Sequence, residues 1–269
     1  QKLYEGINIG SETTGLITYM RTDGVQLSSQ AIEELRNEIS NRHGKSYIPD
    51  NPRVYKSKAA NAQEAHEAIR PTDISRDPKS ISNYLDAEQL KLYDLIWKRT
   101  ISSQMQSAEL DETAADISSK DQSITFRANG SQVIFPGFFV YRDKEDDRLL
   151  PNLNEKEEVD LSKVESDQHF TQPPPRYTDA SLIKKMEELG IGRPSTYASI
   201  LQVLINRNYV EKDKGKHVPQ ERGRILTAFL NNFFGKYIEY DFTAELEKKL
   251  DTVSDGKLNY KKLLEEFWD

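Results

Sequence analysis

Tyr19 stands with Thr18 and Arg21 in the run Gly15-Leu16-Ile17-Thr18-Tyr19-Met20-Arg21-Thr22-Asp23, where a short apolar stretch gives way to polar groups. An extended backbone alternates its side chains, which would put Tyr19 and Arg21 on one side and Thr18 and Thr22 on the other. A phenol with a pKa of about 10 is a weak nucleophile while neutral. A neighbouring guanidinium favours the phenolate and neutralises a phosphate under attack, so the pair has the makings of a tyrosine nucleophile for phosphoryl transfer. The other reading is a tyrosine, one of 13, packed at a strand end with Arg21 in a surface ion pair.

A second cluster lies in residues 61–72. If Asn61 caps a short helix that Pro71 stops, His66 and Arg70 fall at i and i+4 on one face, where they could grip one phosphate and His66 could pass a proton. The same placement suits a helix end with two basic groups near its C-terminus. A third is Gly190-Ile191-Gly192-Arg193-Pro194-Ser195-Thr196-Tyr197-Ala198-Ser199. Its glycines allow close backbone approach, Pro194 fits a first helical position, and the amides that follow would present a phosphate site with the Ser195 and Thr196 hydroxyls and the Arg193 fork. Arg207 lies about three turns further along the same helix. A capped helix-turn-helix of purely structural use fits equally well. The acidic run at residues 143–147 invites a magnesium reading, but magnesium sites use carboxylates on a rigid frame, and a solvated turn is the expectation here. No residue is assigned to a metal.

The elements that must position these groups fall into three stretches, an α+β chain that is mostly helical. Residues 1–103 carry helical patterns at 28–40, with Ser28 as N-cap, at 61–70 and at 86–103. Residues 104–172 change to short β-type runs at 113–118, 123–128, 132–141 and 157–164, with Asn129-Gly130 as a hairpin signal: an antiparallel sheet of about four strands. Pro173-Pro174-Pro175 is a stiff link into residues 173–269, which read as a helix at 179–189, a sharp turn, a helix at about 195–206, a basic two-stranded wing around Gly215, and helices at about 225–238 and 243–268.

The 269 residues include no cysteine and four histidines, which excludes disulfides, thiolate metal sites and a cysteine nucleophile and leaves little for zinc. A cytoplasmic setting is the expectation. No apolar run approaches the roughly 18 residues of a membrane span. A net charge of −7 argues against coating nucleic acid over the whole surface, yet it is unevenly spread: residues 104–175 carry −8 and residues 176–224 carry +4. That small basic window suits a defined phosphate track. Base readout would call for Arg, Asn or Gln facing out along the second helix of the turn, whereas its first residues are small hydroxyls. Gln1-Lys2-Leu3-Tyr4-Glu5 reads like the tail of an interrupted helix, so the chain looks like a piece of a longer one.

Taken together, residues 15–23, 63–71 and 177–199 resemble the bacterial type IA DNA topoisomerases: the active-site tyrosine segment, the histidine-bearing segment and the helix-turn-helix of the single-strand groove, in the family's order. The likeness extends from Gln1 to the Tyr240-Asp241-Phe242-Thr243-Ala244 segment. It implies that Tyr19 attacks a DNA phosphodiester to form a 5′-phosphotyrosine and frees a 3′-hydroxyl, the break being resealed after strand passage, so that negative supercoils relax. It implies catalytic roles for Tyr19, Arg21 and His66 and strand contacts for Thr18, Arg70, Arg193, Ser195, Thr196 and Arg207, with Gln1 and Glu5 matching more loosely. The implied domains are a helical tyrosine domain at 1–103, a β arch segment at 104–172 and a helical groove domain at 173–269. The implied partner is a single-stranded stretch of negatively supercoiled DNA, bound by a monomer. Gly24 replaces a serine that many relatives carry beside the tyrosine. The family's metal-binding fold precedes the tyrosine segment and has no counterpart here, so Mg2+ is expected to bind outside this chain, and these residues alone are expected to be inactive. A non-catalytic single-strand binding module, or a winged-helix duplex binder with Tyr19 in its core, is the alternative.

Overall fold

The computed structural model describes residues 1–10, 12–22, 24–56, 66–142 and 147–268, and the chain forms two compact units. One comprises residues 1–20, 25–55 and 67–168, the other residues 21–24, 56–66 and 169–269.

In the first unit a short helix α1 (Lys2–Glu5) leads into an antiparallel pair, β1 (Ile7–Ile9) and β2 (Glu12–Thr14). Helix α2 (Ser29–His43) starts where predicted, its Ser28 hydroxyl accepting from the Ala31 amide at 3.2 Å. Helix α3 (Ala87–Ser103) opens on a reciprocal cap between Asp86 and Gln89. Each helix buries one stripe at i, i+4 spacing: Ala31, Leu35 and Ile39 from α2, and Tyr93, Trp97 and Ile101 from α3. Leu3, Leu16, Ile17, Ile74, Ile81 and Met105 complete this core. The buried Gln104 amide satisfies both backbone groups of Arg53, accepting from its N–H at 3.1 Å and donating to its carbonyl at 2.9 Å.

The β stretch differs from the sequence reading. Two long strands, β3 (Glu109–Ser118) and β4 (Thr125–Phe135), form a hairpin whose turn is at residues 119–124, where Asp121 accepts from the Ser123 amide. Asn129 and Gly130 are not a turn; they pair with Ala114 and Thr113 in mid-strand. Gly130 is needed for space, because a Cβ there would lie 2.8 Å from the Arg148 carbonyl oxygen of a segment crossing beside Ser131. The run expected at 132–141 is strand only as far as Phe135. Pro136 and Gly137 (φ 47°) end β4, and a 3-10 helix, Gly137–Tyr141, folds Phe138 and Tyr141 onto the core. Residues 157–164 form no strand, and their apolar side chains Val159, Leu161 and Val164 are exposed.

The second unit contains α4 (Asp179–Leu189), α5 (Tyr197–Asn206), the antiparallel pair β5 (Val210–Asp213) and β6 (Lys216–Pro219), α6 (Glu221–Phe233), α7 (Gly235–Ile238), α8 (Tyr240–Ser254) and α9 (Tyr260–Trp268). The wing turns at Lys214 and Gly215, both at positive φ. The helical stretch expected at 243–268 is broken at Gly256, whose φ of 72° ends α8.

Candidate functional site

Leu16 and Ile17 are buried in the first core, and the chain surfaces directly after them. This root is held on both sides. The Leu16 amide donates to the Leu3 carbonyl at 2.6 Å, and Ile17 forms an antiparallel bridge with Pro71, flanked by Thr18 N–H to Arg70 O at 2.9 Å and Thr72 N–H to Leu16 O at 3.0 Å. The Thr18 hydroxyl donates to Ala68 O at 2.7 Å and accepts from the Arg70 amide at 3.0 Å. Gly15 is required by the approach of α1, since a Cβ would lie 2.4 Å from the Tyr4 carbonyl oxygen. Gly15→Ala should therefore force the tyrosine segment off α1 and cost about 1–3 kcal/mol. A denaturant midpoint equal to the parent's would show that α1 simply slides aside.

Tyr19 emerges from this root 51% exposed, its ring packed edge-on against Tyr4 with centroids 5.4 Å apart.

The histidine segment departs from the sequence expectation. Residues 66–70 are not helical, and 61–65, including the predicted Asn61 cap, lie outside the described residues. Glu67 instead bridges in parallel to Gln26, with the Ala68 amide donating to Gln26 O at 2.8 Å. The reason is twofold: Pro71 pushes Arg70 out of the α region, and the amides a helix would use are spent on Gln26 and Thr18. His66 and Arg70 are thus not i, i+4 neighbours on a helix face. The Arg70 guanidinium donates to Glu67 at 2.8 and 3.2 Å and to Pro71 O at 2.9 Å. Burial alone would raise the Glu67 pKa, but Arg70 and the Ser28 amide outweigh it and hold the carboxyl below its ordinary range.

Thr18, Tyr19 and Arg70 belong to the first unit, while Arg21, His66, Arg193, Ser195, Thr196 and Arg207 belong to the second. Within the second unit the Thr22 hydroxyl reaches Glu187 of α4 at 3.4 Å. Helix α4 ends on Gly190 in the left-handed conformation, with Ile191 N–H returning to Met186 O at 2.9 Å. Gly192 (φ 78°) has no room for a side chain, since a Cβ would lie 2.9 Å from the Tyr197 ring. Pro194 sits in a turn before α5 rather than at its first position. The Thr196 hydroxyl closes that turn on Arg193, accepting from its N–H at 2.9 Å and donating to its carbonyl at 3.0 Å, while Ser195 is exposed. Arg207 caps the other end of α5 and is exposed. Gln202 and Asn206, bonded to each other at 2.7 Å, also face outward on α5, so this surface is not made of small hydroxyls alone.

The sequence reading missed the partners of Arg193. Its guanidinium is paired with Glu247 and, at 2.7 Å, with Asp251, both from α8. No signal near Arg193 in the sequence points to these acids, which lie more than fifty residues further on. Missed as well was the tie between wing and helix: Asp179 accepts from Lys212 at 2.6 Å and from the buried His217 at 2.7 Å, and Lys212 chiefly holds its carboxyl below the ordinary range.

A model of the DNA topoisomerase family matches residues 1–265. DNA topoisomerase 1 of Rickettsia conorii is 54% identical over the whole chain, which covers 35% of that protein, and DNA topoisomerase 1 of Xylella fastidiosa (strain Temecula1) is 48% identical over the whole chain, covering 34%. The chain thus spans about a third of the length of these relatives. Among solved structures, full-length topoisomerase I from Thermotoga maritima superposes with a TM-score of 0.85 at 38% identity, over 99% of this chain and 43% of that one. No helix among the described residues is long and apolar enough to cross a membrane.

Proposed function

The chain belongs to the bacterial DNA topoisomerase family, and from that premise we propose that it supplies the nucleophile and part of the single-strand groove of a type IA enzyme that relaxes negative supercoils. The phenol oxygen of Tyr19 bonds to phosphorus, the bond from phosphorus to the 3′ oxygen breaks, and that oxygen leaves with a proton as the 3′-hydroxyl. The phenolic proton departs in the same step, and reversal rejoins the strand. Arg21, two residues along the chain, supplies the positive charge that the phenolate and the attacked phosphate both need. His66 is the proton carrier.

The observation that carries this reading is the placement of the half-exposed Tyr19 directly after a buried root that backbone hydrogen bonds hold on both sides.

In such an enzyme Mg2+ would help place the 3′-hydroxyl for rejoining. Among the described residues no group of three His, Asp or Glu could hold it, and Asp147 accepts from the Val133 amide at 3.1 Å. Most of the acidic run, residues 143–146, lies outside the described residues. The ion is therefore assigned to no residue here, and no step runs through it.

The test is to trap the cleavage complex of a polypeptide of the relatives' full length that carries these 269 residues, digest it, and locate the nucleotide by mass spectrometry. A 5′-phosphotyrosyl nucleotide on the peptide containing Tyr19 is expected. The same adduct on any other residue overturns the assignment.

Strand binding should run mainly through phosphate. Arg193→Ala and Arg207→Ala are each expected to weaken binding to unrelated single strands about equally and to flatten the salt slope by about 0.7 for each phosphate left without its cation. Weakening confined to one sequence would point to base readout, for which Gln202 and Asn206 are placed.

A further inference from the structure

The loop between α4 and α5 already holds an anion. One carboxylate oxygen of Glu247 accepts from the Gly192 amide at 3.0 Å, and the other accepts from the Arg193 guanidinium. The second amino group of the same guanidinium donates to Asp251 at 2.7 Å. A backbone amide and one arm of a guanidinium, each donating to a different oxygen of one anion, is a donor set that a phosphodiester's two free oxygens would also satisfy.

Glu247 and Asp251 lie four residues apart on α8, a spacing at which like charges repel along a helix face. Arg193 offsets that repulsion in the arrangement seen here. The pair is also accessible to exchange, the Arg193 and Glu247 side chains being 23% and 25% exposed.

We propose that Glu247, supported by Asp251, is an internal surrogate for the strand phosphate: it occupies the Gly192 and Arg193 donors in the DNA-free protein and must be displaced when a strand binds. The proposal rests on the reading that Arg193 contacts the strand, and it adds the regulation of that interaction. Exchange leaves two uncompensated acids on α8, so strand entry favours movement of α8 away from the loop. The carboxylates also repel a strand that arrives without seating a phosphate on Arg193, which makes binding at this point conditional.

The test uses the 269-residue chain and a fluorescent oligothymidine. Glu247→Gln keeps the side chain's size while removing the charge and one of its two acceptor oxygens, and should tighten binding about three- to tenfold at low salt, with a salt slope steeper by up to about 0.7. Asp251→Asn, at a more exposed position, should do the same more weakly. In an Arg193→Ala background neither change should tighten binding. The backbone amide resonance of Gly192 should shift when the oligonucleotide is added, as its carboxylate partner is replaced.

Unchanged or weaker binding by Glu247→Gln overturns the surrogate and leaves Glu247 as a brace for the loop. Equal tightening in the Arg193→Ala background also overturns it, by showing a general charge effect. If Arg193→Ala alone leaves binding unchanged, the reading of Arg193 as a strand-binding group itself falls, and the surrogate with it.

Discussion

Tyr19→Phe should abolish the covalent protein–DNA adduct, a loss on the order of 10⁴-fold or more, while single-strand affinity stays within about twofold of the parent. The substitution removes one oxygen. Its ring can still pack edge-on against Tyr4, and the root at Leu16 and Ile17 is held by backbone bonds that do not involve the side chain. Structure and binding should therefore survive while the atom proposed to bond to phosphorus is gone. The measurement is denaturant-trapped adduct on a labelled strand, made in a polypeptide of the relatives' full length carrying this chain, with affinity determined in parallel. Normal adduct yield would remove Tyr19 from the mechanism. A fall in affinity together with the missing adduct would mean that the phenol holds the strand and that the failure of chemistry is secondary.

Trp97→Ala should be the most damaging single change to the first unit, at about 3–5 kcal/mol. Trp97 is 2% exposed, donates its indole N–H to Ile74 O at 2.8 Å and lies edge-on to Tyr141 at 5.4 Å. The Arg42 guanidinium sits 4.9 Å from its ring and is itself held by Glu38 and Asp77 at 2.5 and 2.6 Å. Truncation opens a cavity, strips the Ile74 carbonyl of its partner and removes the apolar wall beneath the arginine. Leu16 and Ile17 belong to the same core, so the root of Tyr19 should loosen with it. Denaturant unfolding followed by circular dichroism measures the destabilisation, and a change below about 1 kcal/mol would show that the core closes over the gap. Trp97→Phe should fall between the two.

Much of this was readable locally. The α2 and α3 stripes, the Ser28 cap, the span of α4, the turn at Gly190 and the wing around Gly215 follow from signals within a few residues of where they act, because caps, i, i+4 stripes and positive-φ glycines are short-range effects. The motif of residues 15–23 was equally legible as a chemical candidate, since tyrosine and arginine two apart on an apolar stem are visible in one line of text.

What failed depended on partners distant in the chain. Residues 66–70 have a helical pattern but pair with Thr18 and Gln26, and no local signal announces that pairing. Asn129-Gly130 has the chemistry of a turn yet lies in mid-strand, because Gly130 makes room for the carbonyl of Arg148. Arg193 reads as an open phosphate fork, yet it is held by two acids more than fifty residues later. The sequence alone thus determined which residues could do chemistry and most of the helices that carry them, since both depend on residue type and near neighbours. Tertiary structure alone decided which donors are already satisfied, because a hydrogen bond or an ion pair goes to whatever group packing brings within about 3 Å, whatever its distance along the chain.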